Sequence, residues 1–321
     1  MSAIETRALA KDYRVGFWRP RPYRALHDLT LTVEAGEVFG FLGPNGAGKT
    51  TTLRILLGLV RATSGTATIS GKPYAALPEP TRFVGAALEA ASFHPGRTAR
   101  NHLLSLAPQA RATERNVDEV LDLVGLSDAA KRRVGGFSLG MRQRLGLATT
   151  LLGDPRVLVL DEPANGLDPE GIAWLRSLLR HLAHEGRTVL VSSHVLAEVQ
   201  QTVDDVVIIS RGRLAHASTL SELAALAAPV VIVGSPSTDR LERLVTEQGW
   251  RRSHAPAGAA TTPGAIALEQ VTPAQVGAAA FAAGLELHEL ALHNPGLEKL
   301  FLDLTSAHAF DAGAASRGGA A

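Results

Sequence analysis

The chain has 321 residues, enough for one large domain and a smaller one, with 45% hydrophobic residues to build their cores. Its formal net charge of +1 creates no strong field for nucleic acid, and the absence of cysteine excludes disulfides, thiol catalysis and thiolate metal sites. Residues 1–10 carry Glu5 and Arg7 and no apolar run, so no signal peptide is expected, and no stretch of 18 apolar residues is present to span a membrane.

Near the start, Arg14, Arg19, Arg21 and Arg24 alternate with Phe17, Trp18 and Tyr23. Such a patch can bind nucleic acid, but a solvated hairpin tip, close to lipid headgroups, is the favoured reading. The first clear strand is 38–42, a continuously apolar run of the kind covered on both faces in a parallel sheet. It leads into Gly43-Pro44-Asn45-Gly46-Ala47-Gly48-Lys49-Thr50, a complete phosphate-binding loop. The glycines let backbone N–H groups turn inward around phosphate oxygens, and the following helix adds its positive end. Lys49 is expected to bridge the β- and γ-phosphates of a nucleoside triphosphate. Thr50 is expected to hold Mg²⁺, with Thr51 completing the set. The helix itself shows in Leu53, Leu56, Leu57 and Val60.

Residues 98–148 read as nearly all helical, an insert in the sheet domain, with Val117, Val120, Leu121 and Val124 at helical spacing. Toward its end Ser138 is a good N-cap for a helix starting near Met141. Together with Gly140 it makes a second anion-binding helix end, which a single ATP has no need of from the same chain. An ordinary capped helix is the plain alternative.

The strand 157–160 runs straight into Asp161-Glu162. Acids at that place sit at the carboxyl edge of the sheet, beside the phosphate loop. Asp161 is expected in the Mg²⁺ shell and Glu162 as the group that polarises an attacking water; solvated acids at a strand end are the alternative. Further strands are expected at 188–191 and 206–209. After residue 220 the chain turns Ala-rich and suggests a small α+β appendage over 221–305: a strand at 230–233, helices at 239–248 and 273–283, and a strand at 285–292. Residues 306–321, rich in Gly, Ala and Ser, are expected to be disordered.

The phosphate loop, Phe137-Ser138-Leu139-Gly140-Met141-Arg142-Gln143-Arg144-Leu145, the run 157–163, Ala164-Asn165-Gly166-Leu167-Asp168-Pro169 and Ser192-Ser193-His194 come in the order and spacing of the ABC ATPase family. Over residues 4–220 the chain resembles that family, most closely the ATPase subunits of drug and antibiotic exporters of the daunorubicin- and bacitracin-resistance type. The resemblance implies a P-loop NTPase α/β fold over 1–220 and two subunits head to tail around two ATPs. Each ATP would lie between one chain's phosphate loop and the Ser138, Leu139, Gly140 and Met141 of the other. It further implies that His194 contacts the γ-phosphate, that Asp168 belongs to a loop crossing the dimer interface, and that Tyr13 stacks on adenine. Tyr23 and Trp18 compete for that last role. Glu89 stands where the family has a glutamine in the Mg²⁺ and nucleotide shell, while Leu139 and Met141 replace a glycine and a glutamine. The implied partner is a separate integral membrane permease, with this chain peripheral at the cytoplasmic face of the plasma membrane. The competing functions are a soluble ABC ATPase acting on ribosomes or DNA, an importer subunit, and a regulatory module in which ATP only switches shape. Intact Glu162 and His194 speak against the last.

Overall fold

The computed structural model describes residues 2–16, 21–88, 93–227, 229–253, 264–293 and 296–314. The chain divides into two compact units, one of residues 1–220 with the segment from Leu304 onward, the other Ser221–Asp303.

The first unit opens with two 14-residue strands, β1 (Ser2–Val15) and β2 (Arg21–Glu34), paired antiparallel. Along β2 the buried positions alternate with exposed ones from Leu29 to Glu34, so one face of this small sheet packs inward. β3 (Val38–Leu42) is buried throughout and delivers the chain to α1 (Lys49–Leu56). β4 (Ser64–Ile69) returns to pair with β1, and α2 (Pro80–Phe83) leads into β5 (Val84–Ala87). The expected helical insert is α3 (Ala99–Ala110), α4 (Glu114–Leu123) and α5 (Leu139–Leu151). Thr98, Thr113 and Ser138 cap these three helices, each side-chain oxygen accepting from a backbone N–H three residues on. Then follow β6 (Val157–Asp161), α6 (Pro169–His184), β7 (Thr188–Ser193), α7 (Leu196–Val199), β8 (Asp205–Ser210) and β9 (Arg213–Thr219).

The main sheet has the order β5-β6-β7-β3-β8-β9, parallel except for β9. The continuously apolar runs read from sequence are its four central strands, and their side chains fill the core: Phe41, Leu42, Val159, Leu160 and Ile208 are wholly buried. Each such side chain contributes about 1.5–3 kcal/mol. Because β3, β6 and β7 are parallel neighbours, their carboxyl ends lie side by side, at the edge where doubly wound sheets bind ligands.

The second unit runs from α8 (Leu220–Leu226) through β10 (Val230–Gly234), α9 (Thr238–Glu247), β11 (Arg251–Ser253), β12 (Ile266–Glu269), α10 (Pro273–Ala282) and β13 (Glu289–His293). Its sheet is antiparallel with the order β11-β12-β10-β13. That β-α-β-β-α-β succession is the split βαβ arrangement of ferredoxin-like domains. Val231, Val233 and Leu268 of the sheet pack with Leu241, Leu244 and Val276 of α9 and α10.

Helix α11 (Gly296–Ala314) differs from the sequence expectation, for it continues beyond Thr305 into the stretch read as disordered. Alanine lowers sequence complexity and is also the best helix former, so composition alone misjudged this stretch.

Candidate nucleotide site

The phosphate loop follows β3 and is held by backbone bonds: Gly43 N–H donates to the Ser193 carbonyl (3.2 Å) and Ala47 N–H to that of Pro44 (3.1 Å). Two glycines have a structural reason. Gly48, the N-cap of α1, has φ +107°, and a Cβ there would meet Leu26 Cδ2 at 2.6 Å. A Cβ on Gly43 would run into the carbonyl oxygen of Ile209 on β8.

Lys49 is buried, and its ammonium donates to the Gly43 carbonyl (2.6 Å) and lies 3.2 Å from Glu162 Oε1. Glu162 Oε2 is 2.7 Å from His194 Nδ1. Three chain segments that end neighbouring strands β3, β6 and β7 therefore converge on one carboxylate. Glu162 itself sits at φ +51°, an uncommon conformation for a residue with a side chain. Beside it, Thr50 Oγ1 donates to Asp161 Oδ2 (2.6 Å).

A cleft of about 320 Å³ opens onto this network, lined by Pro44 to Thr51 of the loop, by Glu162, Asn165 and His194, and by Tyr13, Tyr23 and Ala25 of the N-terminal hairpin. Of the residues expected at the nucleotide, Tyr13, Pro44, Asn45, Gly46, Ala47, Gly48, Lys49, Thr50, Thr51, Glu162 and His194 line it. Gly43 and Asp161 act just behind the lining through their bonds to Lys49 and Thr50. Tyr13 and Tyr23 are directly opposite each other in the β1–β2 register, so both rings of the sequence-level competition border one cleft. Lys11 Nζ stands 4.9 Å from the Tyr13 ring centroid. Glu89, Trp18, Phe17 and Arg19 lie outside the described residues.

Ser138, Leu139, Gly140 and Met141 do not line this cleft. The Ser138 hydroxyl accepts from Met141 N–H (3.2 Å) at the start of α5, and Leu139 is half exposed. The Leu139 side chain covers Gly166, and Gly140 faces Leu167, so the helix start abuts the 164–169 loop. Asp168 caps α6, Oδ1 accepting from Gly171 N–H at 2.8 Å. Gln143 Nε2 donates to the Pro163 carbonyl (2.9 Å), which ties α5 to the residue after Glu162. Sequence reasoning gave no role to Gln143 or, individually, to Ser192, whose hydroxyl meets Asp161 and Glu162. The register of β6 against β7, which sets Ser192 opposite Asp161, is what brings Ser192 there.

A family model described as ABC transporter matches residues 26–165, and one described as a domain of unknown function matches 229–298. The chain is 47% identical over 194 residues to the bacitracin transport ATP-binding protein BcrA of Bacillus licheniformis, covering 60% of this chain and 63% of that one. It thus spans somewhat less than two thirds of BcrA. It is 37% identical over 189 residues to the lantibiotic transport ATP-binding protein SrtF of Streptococcus pyogenes, covering 59% of this chain and 82% of SrtF. With an ABC transporter ATP-binding protein of Nostoc it shares 40% identity over 228 residues, 69% of this chain and 68% of the other. Among solved structures, an ATP-binding subunit of an ABC transporter superposes with a TM-score of 0.61 at 28% identity, covering 70% of this chain and 92% of that one. The dimeric structure of a bacterial ABC transporter cassette gives 0.61 at 25% identity, covering 68% and 98%. The chain belongs to the family of ABC transporter ATP-binding proteins.

Proposed function

We propose that this chain binds and hydrolyses ATP as one of two identical subunits, and powers export of a substrate through a separate membrane permease. The observation that carries this reading is the convergence of Lys49 and His194 on Glu162 at the mouth of a cleft bounded by a complete phosphate loop. The β- and γ-phosphates fit the loop's inward N–H groups and Lys49. Tyr13 borders the cleft where an adenine ring would lie, with Tyr23 beside it.

The Thr50 hydroxyl and the Asp161 carboxylate, 2.6 Å apart, are hard oxygen donors that suit Mg²⁺. When bound, Mg²⁺ supplies charge neutralisation at the β- and γ-phosphate oxygens. In hydrolysis Glu162 orients a water and takes its proton as the water oxygen bonds to the γ-phosphorus and the bond to the β–γ bridging oxygen breaks. His194 shares one ring nitrogen with Glu162, which leaves the other for the γ-phosphate.

Pairing is supported by the position of Ser138 and Gly140 outside their own chain's cleft, and by the dimeric cassette among the structural neighbours. In the pair, each α5 start would meet the γ-phosphate held by the other chain, with Asp168 in the loop between. The transport ATP-binding relatives favour a permease on another chain, met at the cytoplasmic face of the membrane; among the described residues no helix is long and apolar enough to cross a membrane. The bacitracin and lantibiotic transport relatives favour export of an antibiotic-like substrate.

Glu162→Gln is the direct test. It keeps the side chain's size and removes the proton acceptor, so ATP stays bound and turnover falls by roughly 10²–10⁴-fold. Pairs should then accumulate with Mg-ATP in light scattering. A Glu162→Gln protein that turns over ATP at the wild-type rate contradicts the reading.

A further inference from the structure

Ser192 lies in β7 directly opposite Asp161 of β6 in the parallel register, and it is wholly buried. Its hydroxyl donates to Asp161 Oδ1 and accepts from the backbone N–H of Glu162 at 3.0 Å. The same N–H is 3.2 Å from the Ser192 carbonyl, so the peptide between the two acids is held by both polar groups of one residue. Asp161 is gripped from opposite sides, Oδ1 by Ser192 and Oδ2 by Thr50. Glu162, at φ +51°, follows in a conformation that needs outside support to persist.

We propose that Ser192 is a positioning residue for the hydrolytic site, fixing the Asp161 carboxylate toward Thr50 and setting the backbone from which Glu162 projects. A carboxylate with one oxygen pinned presents the other in a single orientation, which is what a Mg²⁺ shell requires of an outer ligand. Ser192 touches neither ATP nor water in this scheme and acts through the two acids. Its neighbour Ser193 is equally interior but spends its hydroxyl on Val195 and Glu198. Two adjacent buried serines thus have different duties, one toward the acid pair and one toward the turn after β7.

The inference rests on the hydrolytic reading above, and the full-length chain tests the two separately. The Mg²⁺ midpoint is read from the ATP-induced rise in Tm, beside kcat and the Tm without nucleotide. Ser192→Ala should raise the Mg²⁺ midpoint about tenfold and lower kcat by a similar factor, the scale seen when a partner of a metal-site carboxylate is removed. Ser192→Cys, which keeps the volume but donates weakly, should shift the midpoint in the same direction without opening a cavity. Ser193→Ala should lower Tm and leave the Mg²⁺ midpoint where it was. Wild-type Mg²⁺ midpoints in both Ser192 variants overturn the proposal, as does an equal shift in Ser193→Ala. Wild-type turnover by Glu162→Gln overturns the hydrolytic reading instead, a result the serine variants cannot mimic.

Discussion

Lys49 has two partners in the structure, the Gly43 carbonyl and Glu162, and is only 6% exposed. Its ammonium is therefore held inside the phosphate loop before any ligand arrives. Lys49→Ala should weaken Mg-ATP binding roughly 10- to 100-fold by calorimetry, the equivalent of one charge-assisted hydrogen bond of about 1.5–3 kcal/mol. Unchanged affinity in that variant would remove Lys49 from the site. At this scale the sequence was informative where function is contiguous: the phosphate loop and the Asp161-Glu162 pair could be read directly, since each forms one short run. It was silent where function depends on register. Ser192 meets Asp161 from 31 positions away and Gln143 meets Pro163 from 20, and neither residue type carries a signal by itself. Tyr13 and Tyr23 show an intermediate case: the resemblance assigns the adenine to Tyr13 with Tyr23 competing, and their cross-strand pairing brings both to the cleft.

At the scale of elements, strands buried on both faces announce themselves as unbroken apolar runs, which is why β3, β6, β7 and β8 were legible. β5 (VGAA) and the short polar β11 (RRS) were not, because neither length nor pattern separates them from loop. In the helical insert, His102 of α3 packs edge-on against Phe93, with ring centroids 4.9 Å apart, and approaches Thr149 of α5 at 3.4 Å. Burial, with Arg97 nearby, pushes its imidazole below the ordinary value of 6.5. The folded insert thus keeps His102 neutral at a pH where the unfolded chain has taken up a proton. This contribution to stability is present above the unfolded value and is lost as pH falls from there toward the folded one. Tm should therefore drop between pH 7.5 and 5.5, and His102→Gln should drop less over the same interval. An identical pH profile for the two proteins would show that His102 does not couple protonation to folding.

At the scale of the molecule, the first unit carries every residue that lines the cleft, while the second is a separate split βαβ domain with its own core. In the proposed pair, Lys49 and Ser138 of the same chain would serve different ATPs, so that one chain could not complete a site. Mixing two inactive proteins tests it most directly. Lys49→Ala removes the phosphate-loop cation, and Ser138→Arg blocks the start of α5 with a long side chain. In a head-to-tail pair of the two, one site collects both lesions and the other has none. The measurement is the ATPase rate of an equimolar mixture after exchange of subunits, compared with each variant alone. Turnover should reappear, up to about a quarter of the wild-type rate if half the pairs are mixed and one of two sites is intact in each. A mixture no more active than its components would contradict the shared-site arrangement.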